Sequence, residues 1–193
     1  MEDVLLGLET AFQQEDWGLA EKLIHDLLED DGMNPSLWYN LGLVRRKAGN
    51  NSLAIETFTK TLEMSPNHKG AMFERAAAYL DLEHFHDALN GFAEYTVAFP
   101  EDADGLLNLA RIALHLEVPD LALSAFQKRA DYDNDAENII GAAEAMQMQG
   151  NEDGIGMLRR LFANNPGIRP ELLKLMSQGS SGRVPLNSKQ FLG

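Results

Sequence analysis

Apolar residues recur at helical spacing along most of this chain, and the recurrences themselves repeat. Between Pro35 and Asn67, Trp38, Leu41 and Gly42 fall at i, i+3 and i+4, which places them on one stripe of a helix. Ala48-Gly49-Asn50-Asn51-Ser52 interrupts that stripe. It resumes with Leu53, Ala54, Phe58, Thr61 and Leu62 and stops at Ser65-Pro66-Asn67, since proline brings no amide proton to a continuing helix. The pattern predicts two amphipathic helices joined by a turn.

Steps of 34 residues from Met1 place further copies at Lys69 and Ala103 with no insertion. In the first unit Val4, Gly7, Leu8 and Ala11 form the first stripe and Ala20, Ile24 and Leu27 the second, with Gly32 where the proline would stand. The third unit has Met72, Arg75, Ala76 and Tyr79, then Ala88, Phe92 and Pro100. The fourth has Leu106, Leu109, Ala110 and Ala113, then Ala122 and Phe126, with Asn134 in place of proline. A fifth, from about Asp135, places Ala142, Ala145, Gly154, Leu158, Leu161 and Pro166 near the expected points if it starts two residues early. The repeated alanine marks a close approach of two helices, and the phenylalanine one turn later fills the space beside it.

The order W-x2-L-G, A-x3-F, P, carried here by Trp38, Leu41, Gly42, Ala54, Phe58 and Pro66, resembles the tetratricopeptide repeat. Arg45 stands where that family has an aromatic residue. The resemblance implies an all-α, right-handed superhelical solenoid of about five helix-turn-helix repeats, at 1–34, 35–68, 69–102, 103–134 and 135–166. An amphipathic segment, Arg169 to Met176, is expected to form a capping helix over about 169–178 and so to complete a solenoid domain of 1–178. Residues 179–193, rich in Gly and Ser and without periodicity, are expected to form a flexible C-terminal tail.

Charge narrows the partners. With 30 Asp+Glu against 16 Lys+Arg the net charge is −14, which repels a phosphate backbone and argues against nucleic acid. There is no cysteine, hence no disulfide and no thiolate zinc site. The N-terminus is acidic where a signal peptide is basic, and no run reaches the roughly 18 apolar residues of a membrane span, so a cytoplasmic protein is expected. Phosphate-binding glycine loops, a G-x-S-x-G elbow and H-E-x-x-H are all absent from the sequence, so neither catalysis nor a cofactor nor a metal is expected. His84 and His86, near Asp81, Glu83 and Asp87, are the local histidine pair; their position between two helices reads as a solvated turn.

The resemblance also implies a binding groove, lined in that family by the second, fifth, ninth, twelfth and thirteenth positions of each repeat. In this sequence these are Glu2, Leu5, Glu9, Phe12 and Gln13, then Ser36, Tyr39, Leu43, Arg46 and Lys47, then Gly70, Phe73, Ala77, Leu80 and Asp81. Asp104, Leu107, Arg111, Leu114 and His115 follow, with Ile139, Ala143 and Met146 from the fifth unit. None of them is expected to be needed for the repeat core. Leu5, Phe12, Tyr39, Leu43, Phe73, Leu80, Leu107 and Leu114 would make an apolar stripe, and Arg46, Lys47 and Arg111 would add positive charge, complementing a protein or peptide segment with apolar anchors and acidic groups. The carboxylate clamp of the family's chaperone-binding members is not reproduced: Asn40 and Asn108 match its middle asparagine, but Leu5, Glu9, Gly70 and Glu74 fail in one frame and Tyr39, Leu43 and Asp104 in the other. The expected function is a non-enzymatic adaptor, chaperone or assembly factor. The alternative is a self-associating scaffold subunit, a homo-oligomer whose tail residues Val184, Leu186, Phe191 and Leu192 fill its own or a neighbour's groove.

Overall fold

The computed structural model of the chain describes residues 2–164, and among these every regular element is helical. The order is α1 (Glu2–Gln13), α2 (Trp17–Asp30), α3 (Pro35–Lys47), α4 (Asn51–Met64), α5 (Lys69–Asp81), α6 (Phe85–Ala98), α7 (Ala103–His115), α8 (Pro119–Arg129), α9 (Ala136–Met148) and α10 (Asp153–Asn164). They pair into five helix-turn-helix repeats. The expected capping helix at 169–178, Pro166 and the tail 179–193 lie outside the described residues.

Two compact units divide the chain, Met1–Ala98 and Phe99–Gly193. In the first, each of α1 to α6 packs on its neighbours in sequence and α3 also touches α5. The second repeats the scheme with α7 to α10, where α7 also touches α9. First helices of successive repeats therefore lie side by side where α3 meets α5 and where α7 meets α9.

Capping explains where the helices begin. Asn34 Oδ1 accepts from the Ser36 and Leu37 amides, His68 Nδ1 from Ala71 at 3.1 Å, Asp102 Oδ1 from Gly105 at 2.8 Å and Asp135 Oδ1 from Asn138 at 2.8 Å. A side-chain acceptor at this point satisfies amides that the first helical turn cannot. Asn34, His68 and Asp102 are 34 apart, and Asp135 follows Asp102 by 33. The fifth repeat thus starts one residue early, not two.

The turns follow the same count. Glu15, Gly49, Glu83, Glu117 and Gly150 all have positive φ, between 53° and 80°. In each turn the following amide reaches back five residues: Asp16 to Ala11, Asn50 to Arg45, His84 to Tyr79, Val118 to Ala113 and Asn151 to Met146, at 2.8–2.9 Å. This left-handed closure satisfies carbonyls at the helix end.

The core is the one that the alternation of small and large residues predicts. Ala20, Ala54, Ala88 and Ala122 have no exposed surface, and Phe58, Phe92 and Phe126 are buried with them. Leu41 joins Ala11, Ala20, Ile24, Leu28 and Val44 in one cluster, against which Trp38 packs while its indole N–H donates to Gly32 O at 2.8 Å.

Candidate partner-binding site

In the first unit α1, α3 and α5 bring together most of the groove positions named above. Near its start, Leu8, Glu9, Phe12, Gln13 and Asn40 surround a cavity of about 540 Å³. Phe12, 36% exposed, meets Trp17 edge-on at 5.8 Å. It is held in place yet open to solvent. The side chain of Leu5 lies outside the described set.

Tyr39 is half-buried. Its ring lies 4.6 Å from His68 and 6.0 Å from Phe58, and the space for its hydroxyl exists because residue 70 is glycine: a Cβ there would stand 2.7 Å from Tyr39 Oη. Burial raises the Tyr39 phenol above its ordinary value of 10.0, and the nearby Glu74 carboxylate adds to that shift. Leu43 and Tyr39 both pack on the cluster of Ala54, Phe58 and Ala71. Phe73 meets Phe92 and Tyr95 edge-on, each at 5.3 Å. These three groove positions serve the repeat core after all, because a side chain this large at a helix crossing cannot avoid the second helix. Leu80 is half-buried and Lys47 exposed.

Arg46 is not a free cation. Its Nε donates to Asp81 at 2.9 Å and its Nη1 to Glu74 at 2.6 Å, one guanidinium fork holding two carboxylates on α5. Together with Glu9 these residues leave the face acidic despite Arg46 and Lys47. The expected acidic partner group finds no unpaired arginine here.

In the second unit Leu107 is 9% exposed and Leu114 0%, so both belong to its core and not to an open stripe. The physical reason is that α7 is covered by both α8 and α9, which leaves eight of its thirteen residues buried. Arg111 is paired with Glu137, its Nε donating at 2.8 Å. Asn108, one of the two clamp-like asparagines, turns its amide back on Asp104 O at 2.9 Å.

Two arrangements were not legible in the sequence. Arg45, in the aromatic position, bridges helices of two repeats: its Nε donates to Glu21 Oε1 at 2.8 Å on α2 and its Nη1 to Thr57 Oγ1 at 2.7 Å on α4. The departure from the motif was itself the available signal. The second is a cavity bordered by α8, α9 and α10, for which no motif exists. Among the described residues no cluster of three or more His, Asp or Glu is placed to hold a metal; His84 stacks on Tyr79 at 6.3 Å and His86 is exposed. No described helix is long and apolar enough to cross a membrane.

Comparison with known proteins agrees with this architecture. The tetratricopeptide repeat family model matches residues 8–69 and 73–138. Among curated proteins, the chain is 29% identical over 100 residues to protein FlbA of Caulobacter vibrioides, covering 52% of this chain and 17% of that one. It is 32% identical over 91 residues to the human protein O-mannosyl-transferase TMTC3, covering 45% of this chain and 10% of that one. The chain therefore spans less than a fifth of the length of these relatives. Among solved structures, a MamA protein superposes with a TM-score of 0.74 at 14% identity, covering 92% of this chain and 93% of that one. A tetratricopeptide repeat protein from Parabacteroides merdae gives 0.76 at 21% identity, with 92% and 73% covered. At these identities the structural likeness concerns the fold alone.

Proposed function

This chain belongs to the tetratricopeptide repeat family, and on that premise we propose that it is a protein-binding adaptor or scaffold module that holds a partner segment on the α1–α3–α5 face of its first unit. The observation that carries this reading is Phe12, exposed and fixed by Trp17 beside the cavity lined by Leu8, Glu9, Gln13 and Asn40. A rigid aromatic at the edge of a concave surface offers an apolar anchor at little entropic cost. Tyr39 and Phe73 support that face from beneath more than they offer themselves to a ligand.

The electrostatics select the partner. Arg46 is saturated by Glu74 and Asp81, and Glu9 stands at the cavity wall, so the segment that fits carries apolar anchors and a basic group. In this reading the module binds and does not catalyse.

Affinity purification from the native cell, with the full chain as bait, tests the proposal. Phe12→Ser and Leu80→Ser together should abolish capture of a partner that the wild type retains, with unchanged helicity. Equal capture by both baits would refute it. Light scattering in the same preparations separates partner binding from self-association: an oligomer lost on replacing Phe191 and Leu192 by Ser would favour the scaffold alternative.

A further inference from the structure

The second unit contains a cavity of about 490 Å³ bordered by α8, α9 and α10. Its apolar wall includes Leu123, Phe126, Ile139, Met146 and Met157. Two features separate it from an ordinary gap between helices.

The first is Asn138, which stands on this wall and is 2% exposed. Its Nδ2 donates to Phe126 O at 3.0 Å and lies 3.4 Å from Asn134 Oδ1. Both neighbours are acceptors, which fixes which end of the amide is nitrogen. The Oδ1 is then left as a buried acceptor with no hydrogen-bond donor among the described residues. Native interiors rarely leave such a group unmatched.

The second is charge. The chain holds 30 Asp+Glu, yet among the described residues no carboxylate lines this cavity, whereas the exposed Arg160 does. The local preference is opposite to that of the molecule.

We infer that this cavity is a second binding site, which takes a short segment of a partner protein that presents an apolar side chain, a backbone N–H to Asn138 Oδ1 and an adjacent carboxylate to Arg160. A peptide supplies a donor at nearly every residue and can carry the other two groups beside it. The volume suits a few side chains. The chain's own residues 165–193 have the wrong charge for Arg160: Arg169, Lys174, Arg183 and Lys189 against Glu171 give +4 − 1 = +3. This site shares no residue with α1, α3 or α5 and selects the opposite charge, so either proposal can fail without the other.

Methyl NMR of the methionines in the full-length protein provides the test, with an acetylated, amidated leucine–glutamate–leucine–leucine peptide as probe. The Met146 and Met157 methyls should shift on titration, and the glutamine analogue should bind about fivefold more weakly or worse, the scale of one partly exposed ion pair. Arg160→Glu, an exposed change, should keep the helicity and transfer the preference to the lysine analogue. No shift at these methyls, equal affinity for all three peptides, or shifts confined to Met64 and Met72 of the first unit would each overturn the inference. So would Met146 and Met157 shifts that depend on protein concentration without peptide, which would assign the cavity to a second copy. Shifts produced by Leu172→Ser and Leu175→Ser alone would assign it to the chain's own C-terminal segment and overturn the inference equally.

Discussion

A Cβ added at Gly42 would stand 2.4 Å from Cε1 of Phe58. The glycine of α3 and the phenylalanine of α4 therefore form one packing unit, and neither residue has a reason without the other. Phe58 is fully buried and cannot swing away. Gly42→Ala should destabilise the first unit by about 1–3 kcal/mol through overpacking, in spite of alanine's better helix propensity. Gly141 stands in the same relation to Phe126, with a Cβ at 2.1 Å, so Gly141→Ala should do likewise. Urea denaturation of both variants checks the pair.

The five left-handed turn residues make a second prediction of opposite sign. Glu15, Glu83 and Glu117 adopt a positive φ that costs a residue with a Cβ about 1–2 kcal/mol, whereas Gly49 and Gly150 adopt it freely, with nothing within 4 Å of either. Glu83→Gly should stabilise the fold by about 0.5–1 kcal/mol, the strain relieved less the added unfolded-state entropy. Gly49→Ala should destabilise it. Equilibrium denaturation that ranks these variants in the reverse order would contradict the turn geometry.

Arg45 occupies the place of an aromatic residue by tying α2 to α4. Its hydrogen bonds to Glu21 and Thr57 are part-buried, so Arg45→Ala should cost about 1–3 kcal/mol. A double-mutant cycle with Glu21→Ala should return a coupling of about 1 kcal/mol. Additive losses would mean that the pair does not interact in solution.

Acid should weaken the second unit at one definable point. Burial acts to raise the Asp135 carboxyl, but the Arg129 hydrogen bond, the Asn138 amide and the charges of Arg129 and Arg111 outweigh it and hold the group below its ordinary 3.8. A folded-state value below the unfolded one contributes stability above pH 3.8 and loses it as pH falls through the folded value. Asp135→Asn, which keeps an acceptor for the Asn138 amide, should therefore be less stable than wild type at pH 7, and the gap should close in acid. Thermal melts from about pH 7 to about pH 2.5 read the difference.

The repeat architecture was legible because packing at helix crossings is local in sequence. Trp38, Leu41, Gly42, Ala54 and Phe58 lie within one repeat, and their spacing alone fixes which faces meet. The groove was legible only as a set of positions. Position within a repeat says which way Arg46 points, but whether it is free depends on Glu74 and Asp81, 28 and 35 residues away. Position likewise put Leu114 on an open stripe, whereas its burial depends on α8 and α9 both packing on α7. The early start of the fifth repeat was hidden for a different reason: the fourth repeat has Asn134 where Pro66 and Pro100 mark the ends of the second and third, and only the Asp135 cap and the Gly150 turn reveal it.

That Phe12 and the cavity beside it hold a partner segment is open to direct measurement, by calorimetric titration of the purified partner against the wild-type chain and Phe12→Ser. Phe12 is 36% exposed and its removal also ends the edge-on contact with Trp17, so the variant should melt somewhat lower but stay folded while the partner's Kd rises at least about tenfold. An unchanged Kd with a folded variant would rule out Phe12 as the anchor, and with it the groove as the place where the partner binds.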